Sequence, residues 1–270
     1  MENSFYYQPK VSIITICYNS EKTIETAIKS VLNQSYPNVE YIIIDGGSSD
    51  GTKEIIKKFD SHITNWISER DAGIYDAFNK GIGLASGDVI GIVNSDDFLE
   101  PNAIAQVAEA FQRNIDADVV YGKVRIIDET NSIQYVLGQG GDLYARRYLM
   151  MPVPHPSTFI TKRSYEQLGN YKTEFPIASD YELILRFMSK QLKFLFIDTV
   201  LSNMRIGGIS TTNYVRTFYE HAVIKQIYGC SKIKALFLFA QSCAKTFVVH
   251  TLSKFSAFSK WYEKYKHLKQ

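Results

Sequence analysis

The stretch Asp88-Val-Ile-Gly-Ile-Val-Asn-Ser-Asp-Asp97 joins an apolar run to a pair of acids, and it does most to decide the fold. The run from Val89 to Val93 has the branched aliphatic composition of a buried strand. Such a strand delivers the adjacent carboxylates of Asp96 and Asp97 to the tip of a sheet. Like charges this close repel one another, and a divalent cation such as Mg²⁺ or Mn²⁺ offsets the repulsion, because carboxylate oxygens suit hard ions. An ordinary turn explains Asn-Ser-Asp-Asp about equally well, so the rest of the chain has to decide.

Length and composition are those of a globular protein. The 270 residues fit one large domain or a domain with an appendage, and the 45% hydrophobic and 21% charged fractions exclude a disordered chain. Three cysteines, Cys17, Cys230 and Cys243, are an odd number without metal-like spacing, which fits a reducing compartment. Residues 1–10 contain no basic region followed by a long apolar one, so the sequence predicts no signal peptide and a cytoplasmic protein.

Charge is distributed unevenly along the chain. From Ala222 to Gln270 there are nine lysines and one acid, Glu263, which gives this segment a charge of +8. Because the whole chain carries +2, the residues before Ala222 carry about −6. An acidic body with a basic tail argues against a nucleic-acid-binding surface on the body.

Short β-rich runs alternate with helical patterns through the first half of the chain. This alternation predicts right-handed βαβ units and a largely parallel sheet. The predicted strands are 11–17, 39–44, 63–68, 88–93, 119–127, 157–161 and 192–197. The predicted helices are 24–32, 51–59, 74–85, one beginning at Pro101, 179–188 with Ser179 as N-cap, and everything beyond Asn213.

Polar residues follow the predicted strands where each strand ends. Asp45–Asp50 follows the second strand, Glu69–Asp71 the third, and Asp96–Asp97 the fourth. Ligands of parallel α/β sheets bind beyond the carboxyl ends of the strands. A chance scatter of acids would not prefer one edge, so the clustering favours a metal site over a plain turn.

The loop Asp45-Gly-Gly-Ser-Ser-Asp-Gly51 packs three glycines around two acids. Glycine lets the backbone approach a ligand, but the loop matches neither Gly-x-x-x-x-Gly-Lys-Ser/Thr nor Gly-x-Gly-x-x-Gly. A Walker-type kinase and a dinucleotide oxidoreductase are therefore poorly supported. The carboxylate of Asp45 suits the donor edge of a base such as uracil N3–H, whereas Asp50 is better explained as a helix N-cap.

Four segments together resemble the family 2 glycosyltransferases: Ser12–Asn19, Ile44–Thr52, Asp71–Gly81 and Asn94–Asp97. The resemblance covers about residues 9–210, with the motifs in the right order and spacing. It implies a GT-A fold, a nucleotide-sugar donor and inversion at the anomeric carbon. It does not name the sugar, and we favour a UDP-sugar.

The resemblance also implies roles for individual residues. Those that would line the nucleotide pocket or contact the base and ribose are Thr15, Tyr18, Asn19, Asp45, Asp71, Gly73 and Asn79. Asp96 and Asp97 would occupy the family's metal-binding Asp-x-Asp position, where Mg²⁺ or Mn²⁺ bridges the donor diphosphate, so Asp96 also faces the donor. Asn94 stands where many members have aspartate, which leaves open which carboxylate is the direct metal ligand.

Inversion in one displacement requires one base to take the proton of the acceptor hydroxyl. Ala178–Arg186 resembles the family's acidic motif at the start of a helix and makes Asp180 the candidate base, the alternative being a helix cap. His155 could face the acceptor or a phosphate, although a lone histidine in a Pro-rich loop is more often structural. Arg205 occupies the position of a family loop that closes over the donor, the alternative being a surface arginine.

The C-terminal segment is predicted to be a basic amphipathic tail. We predict a catalytic domain over 1–212, with a nucleotide-binding half at about 9–127 and an acceptor-binding half at about 128–212, followed by the tail at 213–270. The tail has no run of about 18 uncharged apolar residues, so it does not predict a membrane span. It could lie on the inner face of an anionic plasma membrane or pack on the domain or a second subunit, and the oligomeric state is open.

The sequence thus predicts an α/β protein with a GT-A-like, Rossmann-like, mostly parallel central sheet flanked by helices and followed by a helical tail. Its predicted activity is metal-dependent, inverting transfer of a hexose to a glycan or lipid-linked acceptor in bacterial polysaccharide biosynthesis. A nucleotidyltransferase is one alternative, but its usual Gly-rich basic loop after the first strand is absent from Cys17–Ser20. A non-catalytic nucleotide- or glycan-binding module on the same fold is the other.

Overall fold

The computed structural model describes residues 8–207 and 213–252, which fall into two compact units. The first unit ends at Ile206 and the second begins at Gly207, close to the boundary predicted at 212–213.

A nine-stranded sheet forms the centre of the first unit. Its strands are β1 (Val11–Cys17), β2 (Val39–Asp45), β3 (Asn65–Ser68), β4 (Val89–Asn94), β5 (Phe98–Leu99), β6 (Val119–Ile127), β7 (Ile133–Leu137), β8 (Thr158–Thr161) and β9 (Phe194–Arg205). They are ordered β3-β2-β1-β4-β8-β6-β9-β5, and β7 pairs with β6. The strands β3, β2, β1 and β4 are mutually parallel, as the alternation of strands and helices predicts.

Helices cover both faces of this sheet. In the first unit they are α1 (Ile24–Leu32), α2 (Thr52–Lys57), α3 (Ile74–Leu84), α4 (Ala103–Arg113), α5 (Leu143–Arg146), α6 (Lys162–Leu168) and α7 (Ser179–Ser189). Alternate residues of β1 point to opposite faces, so Ile13 packs in one core with α1 and α4, while Ile14 packs in the other with α3 and α7. Every residue of β1 is buried, as expected for a strand covered on both sides.

The second half of the sheet is mixed. The strand β8 lies between β4 and β6 and runs antiparallel to both, whereas β6 and β9 are parallel. Because β8 runs against β4, the residues just before Thr158 lie at the edge where β4 ends. The predicted α/β class is confirmed, with the parallel pairing concentrated in the first four strands.

Several element boundaries differ from the prediction, and two of the differences have a clear structural reason. The helix expected to begin at Pro101 is α4, which begins at Ala103, because Asn102 adopts a left-handed conformation with φ of 62° and the short β5 precedes it. The strand expected over 192–197 is β9, which continues to Arg205 because its second half pairs with β6 and β5.

The second unit consists, within its described residues, of α8 (Tyr214–Ile227) and α9 (Lys232–Leu252). Ile224 of α8 and Ala235 of α9 are fully buried. The prediction of a helical tail therefore agrees with these residues, while its part beyond Leu252 lies outside the described chain. Across residues 8–207 and 213–252, no helix combines the length and the apolar character needed to cross a membrane.

Candidate active site

Three loops meet where β1, β2 and β4 end. In the register of the sheet Cys17 lies beside Asp45, and Ile16 lies beside both Ile44 and Asn94. The loops that follow these strands are therefore neighbours at one edge, which is where a parallel α/β sheet binds its ligands.

Asp96 and Asp97 have different environments. Asp96 is exposed, whereas Asp97 is only 3% exposed. The Nδ2 of Asn94 donates to Asp97 Oδ2 at 2.9 Å, and the backbone N–H of Arg205 donates to Asp97 Oδ1 at 3.1 Å. The segment is also a hydrogen-bonded turn, because the Asp97 N–H donates to the Asn94 carbonyl at 3.1 Å. The ordinary turn and the cluster of acids, which the sequence offers as alternatives, are therefore the same segment, Asn94–Asp97.

Burial makes the Asp97 carboxylate costly to ionise. Burial, followed by the charge of Asp96, raises the pKa of this carboxyl from 3.8 to about 7. The hydrogen bonds from Asn94 and Arg205 oppose this rise without cancelling it. A cation at this place would favour the ionised form.

Oxygen atoms at the turn fit a hard divalent ion. Besides the two carboxylates, Asn94 Oδ1 is buried and has no hydrogen-bond partner. In the described part of the chain no group of three or more His, Cys, Asp or Glu side chains is placed to hold a metal. The donor set is therefore small, which suits Mg²⁺ or Mn²⁺, since these ions take many of their ligands from substrate phosphates and water.

The Asp45 carboxylate is fully buried and has protein partners. Its Oδ1 accepts from the Ser48 hydroxyl at 2.5 Å, and its Oδ2 accepts from the Ser68 hydroxyl at 2.6 Å and the Ser48 N–H at 3.1 Å. These bonds fix the Gly-rich loop to the end of β3. Burial and the charge of Asp45 together raise the pKa of the neighbouring Cys17 thiol, which is inert packing.

Tyr18 and Asn19 extend this edge toward solvent. Tyr18 is 63% exposed. Asn19 adopts a φ of 48°, its N–H donates to the Ser48 hydroxyl at 2.8 Å, and its Oδ1 accepts from the Ser49 N–H at 2.9 Å. Asn19 therefore ties the loop after β1 to the loop after β2.

Asp50 also stabilises the Gly-rich loop. Its Oδ1 accepts from the N–H of Thr52, the first residue of α2, at 3.1 Å, while Gly51 occupies the N-cap position. Asp50 thus stabilises the start of α2 from the residue before the N-cap, whereas the prediction made Asp50 the N-cap itself.

Asp71 is packed against the Gly-rich loop. A Cβ on Gly46 would lie 2.5 Å from Asp71 Oδ2, so only glycine allows this approach without displacing the carboxylate. Asp71 Oδ1 accepts from the N–H of Gly73 at 3.0 Å, and Gly73 begins α3 with a φ of 122°. Asp71 and Gly73 thus lie beside the loop that carries Asp45.

Thr15 and Asn79, two further residues predicted to contact nucleotide, are occupied by protein partners, as Asp45 is. Thr15 is buried within β1, where its Oγ1 accepts from the Tyr41 hydroxyl at 3.0 Å. The side chain of Asn79 makes two hydrogen bonds with the backbone of Tyr171. Its Nδ2 donates to the Tyr171 carbonyl at 2.8 Å, and its Oδ1 accepts from the Tyr171 N–H at 3.0 Å. Their nucleotide contacts remain predictions.

Asp180 lies in the first turn of α7 and is half-buried. Its Oδ1 accepts from the Tyr181 N–H at 2.8 Å and from the Tyr75 hydroxyl at 3.2 Å. Ser179, expected as the N-cap, is instead the first helical residue, because the Ala178 carbonyl already accepts from the Glu182 N–H. Asp180 is therefore not an N-cap.

His155 lies on the same side as Asp180. Its Nε2 is 2.8 Å from the Tyr171 hydroxyl, and its ring centroid is 5.7 Å from that of Phe78. Burial lowers the pKa of His155, and the charge of Asp180 opposes this decrease. Sequence reasoning missed the tyrosines of this cluster, because Tyr75 reads as a helical core position.

Arg205 reaches the acidic turn through its backbone. Its guanidinium donates to Asn131 Oδ1 at 2.5 Å and lies over the Phe98 ring at 5.7 Å, while its Nε is buried without a hydrogen-bond partner. The structure therefore brings Arg205 to the predicted metal site and leaves one donor of its side chain unused.

Comparisons of the sequence with known proteins identify the family. The family model described as "Glycosyl transferase family 2" matches residues 12–170. An uncharacterized glycosyltransferase of Mycobacterium tuberculosis is 35% identical over 182 residues, covering 66% of this chain and 68% of the relative. The Escherichia coli chondroitin synthase is 31% identical over 211 residues, covering 76% of this chain, which spans only 30% of that larger protein.

Solved structures share the fold. The Staphylococcus aureus TarS fragment 1–349 in complex with UDP-GlcNAc has a TM-score of 0.59 at 16% identity, covering 88% of this chain and 73% of that one. The mannosyltransferase PcManGT from Pyrobaculum calidifontis, in complex with GDP-Man and Mn²⁺, has a TM-score of 0.63 at 17% identity, covering 94% and 83%. The predicted GT-A architecture is confirmed.

Proposed function

The chain belongs to glycosyltransferase family 2 and is a glycosyltransferase, and on that premise we propose that it moves a hexose from a nucleotide-sugar donor to a glycan or lipid-linked acceptor with inversion. One observation carries the proposal. The Asp45 loop and the acidic turn of Asp96 and Asp97 follow β2 and β4 at one edge of the sheet, and Asp180 is hydrogen-bonded to Tyr75 in the first turn of α3, which begins beside the Asp45 loop. Donor, metal and base can therefore meet at one place.

The metal is proposed to be Mg²⁺ or Mn²⁺ at the acidic turn. We assign direct ligation to Asp96, because it is exposed while both oxygens of Asp97 accept hydrogen bonds from Asn94 and Arg205. The unpartnered Asn94 Oδ1 would be the second ligand from the protein, while Asp97 would hold the Asn94 side chain through its hydrogen bond. When bound, the ion would stabilise the negative charge that develops on the departing nucleoside diphosphate.

The donor is proposed to be a UDP-sugar. The TarS complex with UDP-GlcNAc supports uridine, and the PcManGT complex with GDP-Man makes guanosine the alternative to test. Asp71, packed on the Gly-rich loop, is a carboxylate that can accept from the N–H of a base, whereas both oxygens of the buried Asp45 already accept hydrogen bonds from Ser48 and Ser68. Tyr18, exposed beside this loop, offers a ring on which a base can stack.

Asp180 is proposed to be the general base. Among the described residues, both hydrogen bonds to its carboxylate fall on Oδ1, so Oδ2 remains for the proton of the acceptor hydroxyl. His155 and Arg205 are proposed to border the acceptor and the diphosphate, respectively. The name of the relative chondroitin synthase supports a polysaccharide acceptor.

The second unit is proposed to bind an anionic membrane surface through α9. Its side chains Ile233, Phe237 and Phe247 are exposed and recur on one side of the helix. Lys232, Lys234 and Lys245 lie beside this stripe, and the segment from Ala222 carries +8. A basic helix with exposed aromatic residues suits the interface of an anionic bilayer, where a lipid-linked acceptor would be found.

The proposal is tested by thermal shift and by product analysis. Melting points measured with UDP, GDP and their sugars, with and without Mn²⁺, should select one base, because tight binding raises the melting temperature by mass action. Release of the nucleoside diphosphate from that sugar donor should then require Mn²⁺ or Mg²⁺ and be lost in Asp96→Asn. Release of pyrophosphate would identify a nucleotidyltransferase, and binding without turnover would identify a non-catalytic module.

A further inference from the structure

The hydroxyl of Tyr75 lies between the first turn of α3 and the start of α7. It is 2.8 Å from the Ile177 carbonyl and 3.2 Å from Asp180 Oδ1. The Tyr75 side chain is 5% exposed, and its ring stacks on Tyr171 with centroids 5.5 Å apart. A buried tyrosine needs a partner for its hydroxyl, and here that partner is the segment that carries the proposed base.

Burial, and after it the charge of Asp180, raises the pKa of Tyr75 well above its usual value. The Tyr75 hydroxyl therefore keeps its proton and remains a donor at the start of α7.

The helix that carries Tyr75 begins in the proposed donor site. Asp71 is packed on Gly46 of the Gly-rich loop and accepts from the N–H of Gly73, the residue before α3. Tyr75 follows Gly73 by two residues. A short, hydrogen-bonded path therefore connects the proposed nucleotide loop to Asp180.

We propose that Tyr75 is a positioning residue that holds Asp180 in place from the donor side of the site. This inference rests on the proposed role of Asp180 as base. The Tyr75 hydroxyl has one proton and two acceptors, so it turns toward Asp180 Oδ1 when that carboxylate is ionised, because a charged acceptor makes the stronger bond. It can turn toward the Ile177 carbonyl when Asp180 has taken up the acceptor's proton.

Three titratable side chains from other parts of the chain face Asp180. They are Tyr75 on α3, His155 before β8, and Tyr171 between α6 and α7. The charge of Asp180 acts to raise the pKa of each of them. On its own helix, Glu182 is fully buried and paired with Lys172 and Arg186. Of these groups, Tyr75 is the one whose side chain donates to the Asp180 carboxylate.

The direct test is Tyr75→Phe, which removes the hydroxyl and keeps the ring. Its effect is read from the rate of transfer and from the dissociation constant of the donor, because a residue that only positions Asp180 changes the rate and not donor binding. The matched control is Tyr121→Phe, whose buried hydroxyl donates to the Gln139 carbonyl at 3.3 Å and which should leave the rate unchanged. An unchanged rate in Tyr75→Phe overturns the inference.

A second variant, Asp180→Asn, separates this inference from the proposed function. With the cognate donor, Tyr75→Phe should lower kcat about tenfold, while the donor dissociation constant stays within about twofold. If Asp180→Asn abolishes transfer but Tyr75→Phe leaves kcat unchanged, the role of Tyr75 is wrong and that of Asp180 stands. If Asp180→Asn transfers at the full rate, the assignment of the base is wrong, whatever the rate of Tyr75→Phe.

Discussion

At the scale of single residues, the two adjacent aspartates show how burial gives identical side chains different environments. Asp97 is held by Asn94 and by the backbone of Arg205, and Asp96 is exposed to solvent. The sequence predicts the pair and its place at a strand end, but not this division, because it depends on β9 reaching the turn from more than a hundred residues away. Asn94, which departs from the usual motif, is the donor that holds Asp97.

The buried carboxyl predicts a pH-dependent stability of the metal-free protein. The folded pKa of Asp97 is raised to about 7, above the ordinary value of 3.8, so the folded state holds this proton more tightly than the unfolded state does. Its contribution is fully present below about pH 4 and is lost as the pH rises through about 7. In EDTA, the melting temperature of Asp97→Asn should therefore fall less than that of the wild type between pH 5 and pH 8.

The control for this titration is Glu174→Gln, which changes an exposed acid and should reproduce the wild-type curve. Identical pH curves for Asp97→Asn and the wild type would show that the Asp97 carboxyl does not titrate in this range.

The close approach of Asp71 to Gly46 predicts an effect on nucleotide binding. In Gly46→Ala the new methyl would lie 2.5 Å from Asp71 Oδ2, so the carboxylate has to move away from the loop. We expect nucleotide binding, measured by isothermal titration, to weaken by about tenfold or more, the cost of one displaced polar contact.

Gly83→Ala is the matched control for this substitution. It lies in α3 with nothing within 4 Å of the added Cβ, so it should stabilise the helix by about 0.5–1 kcal/mol and leave nucleotide affinity unchanged. Equal affinities of the two variants would contradict the role of Asp71.

At the scale of elements, the arrangement around α7 depends on a buried ion pair. Glu182 is fully buried and contacts Arg186 and Lys172, each at 3.0 Å. Arg186 also donates to the carbonyls of Leu168, Gly169 and Asn170 at the end of α6. One side chain thus fixes both ends of the segment between α6 and α7, which carries Tyr171.

Arg186→Met should therefore destabilise the fold by about 3 kcal/mol, because it leaves Glu182 buried with one cation fewer. The double variant Glu182→Gln with Arg186→Met should recover part of this loss, as measured by urea unfolding. Arg113→Met, which breaks the exposed pair with Glu109, should cost less than about 0.5 kcal/mol. A loss in Arg186→Met as small as that in Arg113→Met would contradict a structural role for the pair.

Local patterns predicted the elements that are buried on both faces. The strands β1, β2 and β4 are rich in valine and isoleucine, so their composition identifies them. The strand β7 and the second half of β9 escaped prediction, because polar residues such as Asp198 and Asn203 interrupt them and they form by pairing with β6. Tyr75 escaped for a related reason, since periodicity shows a buried face but not which hydroxyl finds a distant carboxylate.

At the scale of the whole molecule, the uneven charge predicted from the sequence coincides with the exposed apolar side of α9. We expect the full chain to sediment with vesicles containing phosphatidylglycerol but not with pure phosphatidylcholine, and to be released at high salt. Replacing both Phe237 and Phe247 by serine should weaken sedimentation by about tenfold or more, since each exposed ring contributes apolar area.

Ile115→Ser, at an exposed apolar position of the first unit, is the control and should bind vesicles like the wild type. Concentration-dependent dimerisation that Phe237→Ser abolishes, with no binding to either vesicle, would assign the apolar side of α9 to a second copy instead.

The position of β8 has a consequence for how such a protein can be divided and recombined. This strand comes from the predicted acceptor half, yet it supplies the pairing partner of β4 in the nucleotide half. A cut near residue 127 would leave β4 with one unpaired edge and β6 without its partners β7, β8 and β9, and unpaired edges promote aggregation. We therefore expect neither half to fold alone, so that exchanging acceptor halves between relatives at this point should give insoluble chimaeras, whereas exchanging loops should not.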